Sequence, residues 1–190
     1  GAIEERDFIS VYAEQLVLTI RTAVNHPQTF DQPLQGLKII VDAGNGAGGF
    51  YASKVLEPLG ADTTGSQFLD PDGMFPNHIP NPEDSDAMAS IWQAVLAHKA
   101  DFGIIFDTDV DRSAAVDQQG QELNRNRLIA LISAIVLQEH PGSTIVTDSI
   151  TSDGLAQFIE QDLQGVHHRF KRGYKNVITE AVRLNQTGED

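Results

Sequence analysis

The chain has 190 residues, 41% of them hydrophobic and 21% charged, a composition that excludes a disordered or collagen-like protein. With 27 acidic against 13 basic residues its formal net charge is −14, which argues against broad contact with nucleic acid or an anionic membrane surface. No cysteine is present, and no apolar stretch reaches the roughly 20 residues that span a bilayer. We therefore expect a cytoplasmic protein that binds anionic ligands through a local positive patch or a metal ion.

Hydrophobic spacing and turn residues predict a helix followed by alternating strands and helices in the first part of the chain. In chain order the predicted elements are a helix at 4–26, a strand at 37–41, a glycine-rich turn at 44–49, a helix at 50–59, a strand at 61–68 and an ordered proline-rich loop at 70–82.

The same pattern continues to the end of the chain. The predicted elements are a helix at 86–98 capped by Ser85, strands at 101–106 and 113–116, a helix at 126–139, and then strand, helix, strand and helix at 143–147, 153–162, 166–170 and 175–184. Strand 101–106 is apolar on both faces, as expected of a central parallel strand. Residues 39–49 and 145–154 both run from a strand through Asp to a glycine-containing turn, an echo that leaves duplication of the unit open.

The strongest candidate site directly follows strand 101–106. Asp107, Asp109 and Asp111 stand at alternate positions, and Arg112 comes next. Alternate spacing lets one tight loop present all three carboxylates, and Mg²⁺ takes such oxygen ligands. Ligands bind at the carboxyl ends of strands in open α/β sheets, and a guanidinium suits phosphate. We predict a magnesium and phosphate loop, the ordinary alternative being a solvated acidic turn.

Two other protein families carry acidic loops. An EF-hand loop starting at Asp107 needs Gly and Glu where Arg112 and Gln118 stand, so that interpretation fails. The haloacid dehalogenase-like phosphatases have two Asp residues two positions apart and then Thr or Val, a pattern that Asp107 and Asp109 fit and Asp111 does not. Their motif also opens its domain, whereas this loop lies past the middle. Such a phosphatase remains the alternative function.

The run from Gly44 to Gly49 satisfies the dinucleotide pattern G-x-G-x-x-G between a strand and a helix. A nucleotide fold also needs an acidic residue ending the second strand, about 20 residues on. Asp62 begins that strand and Asp70 lies beyond it. We favour glycines that allow a tight turn and close packing, and keep a dinucleotide-binding module as a further alternative.

Positive charge collects near the end of the chain. The run from Lys171 to Lys175 follows a strand and opens a helix, where free backbone N–H groups also favour an anion. We predict an anion site there, with Lys175 as a candidate for proton transfer or, alternatively, an ordinary exposed lysine. His78, His167 and His168 are predicted to be loop or strand residues rather than ligands.

These residues resemble the α-D-phosphohexomutases, the phosphoglucomutase and phosphomannomutase family, whose metal loop reads Asp-Gly-Asp-x-Asp-Arg. Residues 107–112 depart from it only at Thr108, and 41–49, 75–78 and 173–175 are similar as well. The resemblance implies a three-layer α/β/α domain with a mixed sheet, followed by a partial second α/β domain. It assigns 1–29 to the last helix of domain 1 or a linker, 30–140 to domain 2 and 141–190 to the first half of domain 3.

The resemblance also implies a function, the magnesium-dependent transfer of a phosphoryl group between the 1- and 6-positions of a hexose phosphate through a phosphoserine and a bisphosphate. Its implied site residues are Asp107, Asp109 and Asp111 for the metal, Arg112 for phosphate and Lys175 as the base. Arg172 stands where many members have Thr. The 190 residues contain no Thr-Ala-Ser-His-like phosphoserine loop and no Glu-x-Ser sugar loop after Lys175. We therefore expect a fragment that is inactive without the missing domains of its parent chain.

Overall fold

A computed structural model describes residues 3–188, which form two compact units divided between Leu123 and Asn124. The first unit contains α1 (Phe8–Val24), β1 (Ile39–Asp42), α2 (Ser85–His98), β2 (Phe102–Phe106) and β3 (Ser113–Asp117). The second contains α3 (Arg125–Glu139), β4 (Thr144–Asp148), α4 (Asp153–Gln157), β5 (Val166–Phe170) and α5 (Tyr174–Thr187). Within the described residues, no helix combines the length and the apolar character needed to cross a membrane.

The first unit is built on a mixed sheet in the order β1-β2-β3, with β1 parallel and β3 antiparallel to the central β2. Successive side chains of a strand point to opposite faces, so Ile40 packs with α2 while Ile39 and Val41 pack on the other side. That other side is covered by the helical segment 47–59, and α1 packs on the same segment through Ala13 and Val17. The predicted three-layer α/β/α arrangement with a mixed sheet is confirmed.

The second unit is a parallel pair of strands, β4 and β5, with helices around it. Its core is formed by Leu137 of α3, Leu155 of α4 and Ile159. The sequence pattern placed residues 126–139 at the end of the preceding domain, but α3 packs within the second unit because its apolar side meets α4. The predicted assignment of 1–29, 30–140 and 141–190 to three family domains stays a prediction.

One predicted strand is wrong. Segment 61–68 makes only isolated bridges, Lys38 with Asp62 and Asp42 with Gln67, and forms no strand. A turn interrupts it, because Thr64 N–H donates to the Asp62 carboxylate at 2.9 Å and Gly65 adopts φ +105°. Threonine-rich composition favours a strand, but these local hydrogen bonds compete with it.

Two helix predictions need correction. The segment predicted as a helix at 50–59 is irregular, with 3₁₀ turns at Ala47–Gly49 and Glu57–Leu59 around a wide π turn at Ala52–Leu56. Pro58 lacks the N–H group that would continue a regular ladder. Asp84, not Ser85, caps α2, since its side chain accepts from the N–H groups of Asp86 and Ala87.

Candidate metal and phosphate site

The acidic loop joins β2 to β3 at the carboxyl end of the central strand. Asp107 follows the last residue of β2, is only 1% exposed, and donates its N–H to the carbonyl of Arg112 at 3.1 Å. Arg112 in turn donates from its backbone N–H to Asp107 Oδ1 at 3.1 Å and from Nε to Oδ2 at 3.0 Å. The loop is therefore closed by one residue pair, and both oxygens of the buried carboxylate are oriented by it.

The structure brings the three predicted metal ligands together. One carboxylate oxygen from each of Asp107, Asp109 and Asp111 lies within 4.8 Å of the others, with Asp107 buried and the other two exposed. Burial alone would raise the pKa of Asp107, but hydrogen bonds from Arg112 and Asp111 and the Arg112 charge outweigh it and lower that pKa. The pKa of Asp111 is raised, first by its hydrogen bond to Asp107 and then by the charges of Asp109 and Asp107.

The backbone of the loop explains its one departure from the family pattern. Thr108 does not adopt a positive φ, so a residue with a side chain fits where Gly is usual. Val110 does adopt one, φ +68°, which is strained for a β-branched residue. Its side chain packs against the buried cluster that contains Val41 and Phe106, and this packing holds the loop between the two exposed aspartates.

The glycine-rich run packs against the metal loop. Ala47 N–H donates to the Thr108 carbonyl at 2.9 Å, and a Cβ on Gly46 would lie 2.8 Å from that same oxygen. A Cβ on Gly49 would overlap the carbonyl of Leu69. Gly46 and Gly49 are therefore required by close backbone approach, as the packing interpretation expects.

Sequence reasoning missed one neighbour of the loop. Asn81 Oδ1 accepts a hydrogen bond from Arg112 Nη1 at 3.1 Å, although the two residues are 31 positions apart. Nothing in their spacing signals the contact, because it depends on how the proline-rich loop folds back. The run Phe75 to His78, which carried part of the family resemblance, belongs to that same loop.

Lys175 lies in the second unit. It is exposed in the first turn of α5, which begins after Gly173 at φ +114°. Lys171 places its Nζ 5.4 Å from the ring centre of Phe170. The structure thus brings together the aspartates and Arg112, while the roles of Lys175 and of the cationic run stay predictions.

Comparison with known proteins identifies the family to which the chain is similar. Residues 16–120, more than half of the chain, match the sequence profile of the family described as phosphoglucomutase/phosphomannomutase, alpha/beta/alpha domain II. A phosphomannomutase/phosphoglucomutase of Pseudomonas putida is 32% identical over 161 residues, which are 85% of this chain and 32% of the relative. The chain spans about a third of the length of the curated relatives it matches.

Solved structures give the same result. A phosphoglucomutase/phosphomannomutase family protein of Burkholderia thailandensis matches with a TM-score of 0.75 and 28% identity, over 99% of this chain and 38% of that one. The Aspergillus fumigatus N-acetylphosphoglucosamine mutase in complex with GlcNAc-6P and magnesium shares the fold, with a TM-score of 0.53 and 18% identity over 90% of this chain and 34% of its own. The chain therefore belongs to the α-D-phosphohexomutases, the phosphoglucomutase and phosphomannomutase family, and includes their α/β/α domain II.

Proposed function

We propose that this chain supplies the metal loop of a phosphohexomutase, an isomerase of carbohydrate metabolism. The parent protein would move a phosphoryl group between the 1- and 6-positions of a hexose phosphate through a phosphoserine and a bisphosphate intermediate. The observation that carries the proposal is the convergence of three carboxylate oxygens within 4.8 Å beside Arg112. Family membership favours this function over the phosphatase and dinucleotide alternatives.

The donor set suits a hard divalent cation. Three carboxylates converge. The pKa of Asp111 is raised first by its hydrogen bond to Asp107 and then by the charges of Asp109 and Asp107. A bound cation would relieve this repulsion between carboxylates. Magnesium is the first cation to test, because it accompanies GlcNAc-6P in the related Aspergillus fumigatus enzyme. When bound, it would supply Lewis-acid stabilisation of charge on phosphoryl oxygens. Asp107, Asp109 and Asp111 would hold it.

The chain's own residues would bind and orient the phosphoryl group. The side chain of Arg112 is 53% exposed while its Nε holds the buried Asp107, so other guanidinium donors can face a phosphate oxygen. A positive group fixed in this way stabilises transition-state charge without reorganising. We assign the proton transfer from a sugar hydroxyl to Lys175, at the start of a helix whose N-terminal end favours anions.

We further propose that the 190 residues alone do not catalyse the reaction. They include no phosphoserine loop of the Thr-Ala-Ser-His kind and no Glu-x-Ser sugar loop after Lys175. The phosphoryl donor and the sugar contacts would then come from other parts of a parent chain. The purified chain should show no interconversion of glucose or mannose 1- and 6-phosphates above the blank, and measurable turnover would contradict this.

Cation binding tests the site directly. Mn²⁺ titration followed by electron paramagnetic resonance, with Mg²⁺ as competitor, should reveal one saturable site in the wild-type chain. Asp109→Asn should weaken it by roughly tenfold or more, the range seen when metal-ligand support is lost. Asp86→Asn, a change of another exposed acidic residue in the same unit, is the matched control and should leave affinity unchanged. No saturable site, or equal losses in the two variants, would refute the proposal.

A further inference from the structure

A second buried carboxylate lies beside the metal loop, and the proposed chemistry does not use it. Asp42 ends β1, the strand next to β2, and its side chain is fully buried. It accepts hydrogen bonds from Gly44 N–H at 2.9 Å, Gln67 Nε2 at 2.8 Å and Ser90 Oγ at 2.8 Å. His78 Nε2 lies 3.0 and 3.1 Å from its two oxygens. Four donors from four separate positions thus converge on one carboxylate.

The imidazole of His78 links this carboxylate to the proline-rich loop. Its side chain is 5% exposed, and its second ring nitrogen, Nδ1, lies 3.0 Å from the carbonyl of Ile79. The same carbonyl accepts the N–H of Asn81 at 2.8 Å. A loop without regular secondary structure is fixed by such side-chain contacts, because it has no ladder of its own. The ring therefore sets the path of the backbone up to Asn81.

Asn81 carries the link on to the metal loop. Its Oδ1 accepts from Arg112 Nη1 and from Glu83 N–H, both at 3.1 Å, and its carbonyl accepts from Asp84 N–H at 2.9 Å. The side chain of Asn81 is thus oriented before it meets the guanidinium. Arg112 holds both oxygens of Asp107. A continuous series of polar contacts, all within 3.1 Å, runs from one buried carboxylate to the other.

We infer that His78 is a positioning residue. Buried against Asp42, it holds Asn81 in place and so orients the Arg112 guanidinium at the metal loop. The consequence for phosphate binding rests on the proposed function, but the contacts themselves involve only side chains and backbone of this chain. Two anchors on one guanidinium, Asp107 at Nε and Asn81 at Nη1, restrict its rotation more than one anchor does.

Nuclear magnetic resonance of the Arg112 Nε–H and Nη–H groups in the 190-residue chain tests the inference. Wild type should show slow rotation of the Nη groups. His78→Leu and Asn81→Ala should speed it by roughly tenfold, the effect of losing one hydrogen bond to a charged group. His78→Gln, which keeps a donor for Asp42, should restore most of the restriction. Arg183, whose Nε donates to Glu180 at 3.0 Å in the second unit, is the internal control and should not change.

The same samples separate this inference from the proposed function. If Mn²⁺ does not bind wild type while Arg112 still responds to His78→Leu and Asn81→Ala, the function proposal fails and the positioning role stands. If Mn²⁺ binds and Arg112 rotates equally slowly in all variants, the positioning role is overturned and the function stands. Should His78→Leu fail to fold, the milder His78→Asn, whose shorter side chain reaches less far towards Asp42, decides. Arg112 rotation that speeds up in Asn81→Ala but stays at the wild-type rate in the folded His78 variant overturns the positioning role.

Discussion

The strands β1 and β4 end in the same local way but in different surroundings. Asp42 Oδ1 accepts the N–H of Gly44 at 2.9 Å, and Asp148 Oδ1 accepts the N–H of Ile150 at 2.9 Å. Asp42 is fully buried and gains three side-chain donors, whereas Asp148 is half-buried. The two segments thus share a turn, and the environment around the turn decides what the aspartate does.

The neighbouring strands extend the contrast. In the first unit, the ion pair of Asp107 with Arg112 lies at the carboxyl end of β2. In the second unit Thr147 Oγ1 meets His167 Nε2 at 2.7 Å and Thr151 Oγ1 at 3.0 Å. Burial, followed by the charge of Arg169, lowers the pKa of His167. At the first edge a buried carboxylate is paired with an arginine, whereas at the second the ion pair of Arg169 with Asp153 is exposed, and a buried charged pair is more costly to break.

Matched substitutions of the two aspartates test this contrast most strongly. Asp42→Asn replaces one carboxylate oxygen with an N–H₂ group, which cannot accept hydrogen bonds from Gln67, His78 and Ser90. The first unit should therefore lose about 3–5 kcal/mol in its free energy of unfolding. Asp148→Asn can keep the turn, since Asn accepts the same hydrogen bond, and should change stability by less than about 0.5 kcal/mol. Urea unfolding, followed by Trp92 fluorescence for the first unit and by circular dichroism for both, measures the two losses. Similar losses of stability in Asp42→Asn and Asp148→Asn would contradict the contrast between the two aspartates.

The glycines after each strand provide a second, smaller test. A Cβ on Gly46 would lie 2.8 Å from the Thr108 carbonyl, so Gly46→Ala should cost about 1–3 kcal/mol by overpacking. For Gly154, in α4, the nearest atom would be Ser152 Oγ at 3.9 Å. Gly154→Ala should therefore be neutral or stabilise by up to about 1 kcal/mol. Thermal melts of both variants check the difference, and a loss in Gly154→Ala would contradict it.

The smallest predicted effect is a pH dependence of cation binding. Proton and cation compete for Asp111, and its raised pKa means that the proton is held to a higher pH than the ordinary value of 3.8. Affinity should be full near neutral pH and fall by up to about tenfold per pH unit as pH drops through that raised pKa.

Asp107 has the opposite shift, a lowered pKa, and stays ionised to lower pH. Asp111→Asn should therefore weaken Mn²⁺ binding but move the remaining pH dependence to lower pH. Mn²⁺ affinities measured from neutral pH downwards in wild type and variant check the sign. A pH dependence that is identical in both proteins would contradict the assignment.

The central strand and its acidic loop could be predicted from sequence, because both signals are local. Strand β2 is apolar at every position and is followed at once by Asp107, Asp109, Asp111 and Arg112. Segment 61–68 could not be predicted, since its threonines favour a strand while the turn at Gly65 forms through side-chain hydrogen bonds.

The contacts of His78 and Asn81 that support the site could not be predicted from sequence either. His78 meets Asp42 across 36 positions, and Asn81 meets Arg112 across 31. Such contacts follow from the packing of a loop that has no periodic pattern. The resemblance in residues 75–78 marked the loop without indicating what its histidine does.

The packing of the glycine-rich run has a consequence for searches by sequence pattern. Gly46 and Gly49 leave room for the carbonyls of Thr108 and Leu69, and close packing of protein against protein here selects the same letters that a bound pyrophosphate selects elsewhere. A scan for G-x-G-x-x-G would therefore collect this chain on glycines that its own packing requires. What separates the two cases is the atom that occupies the space above the glycines, which in this fold belongs to the chain itself.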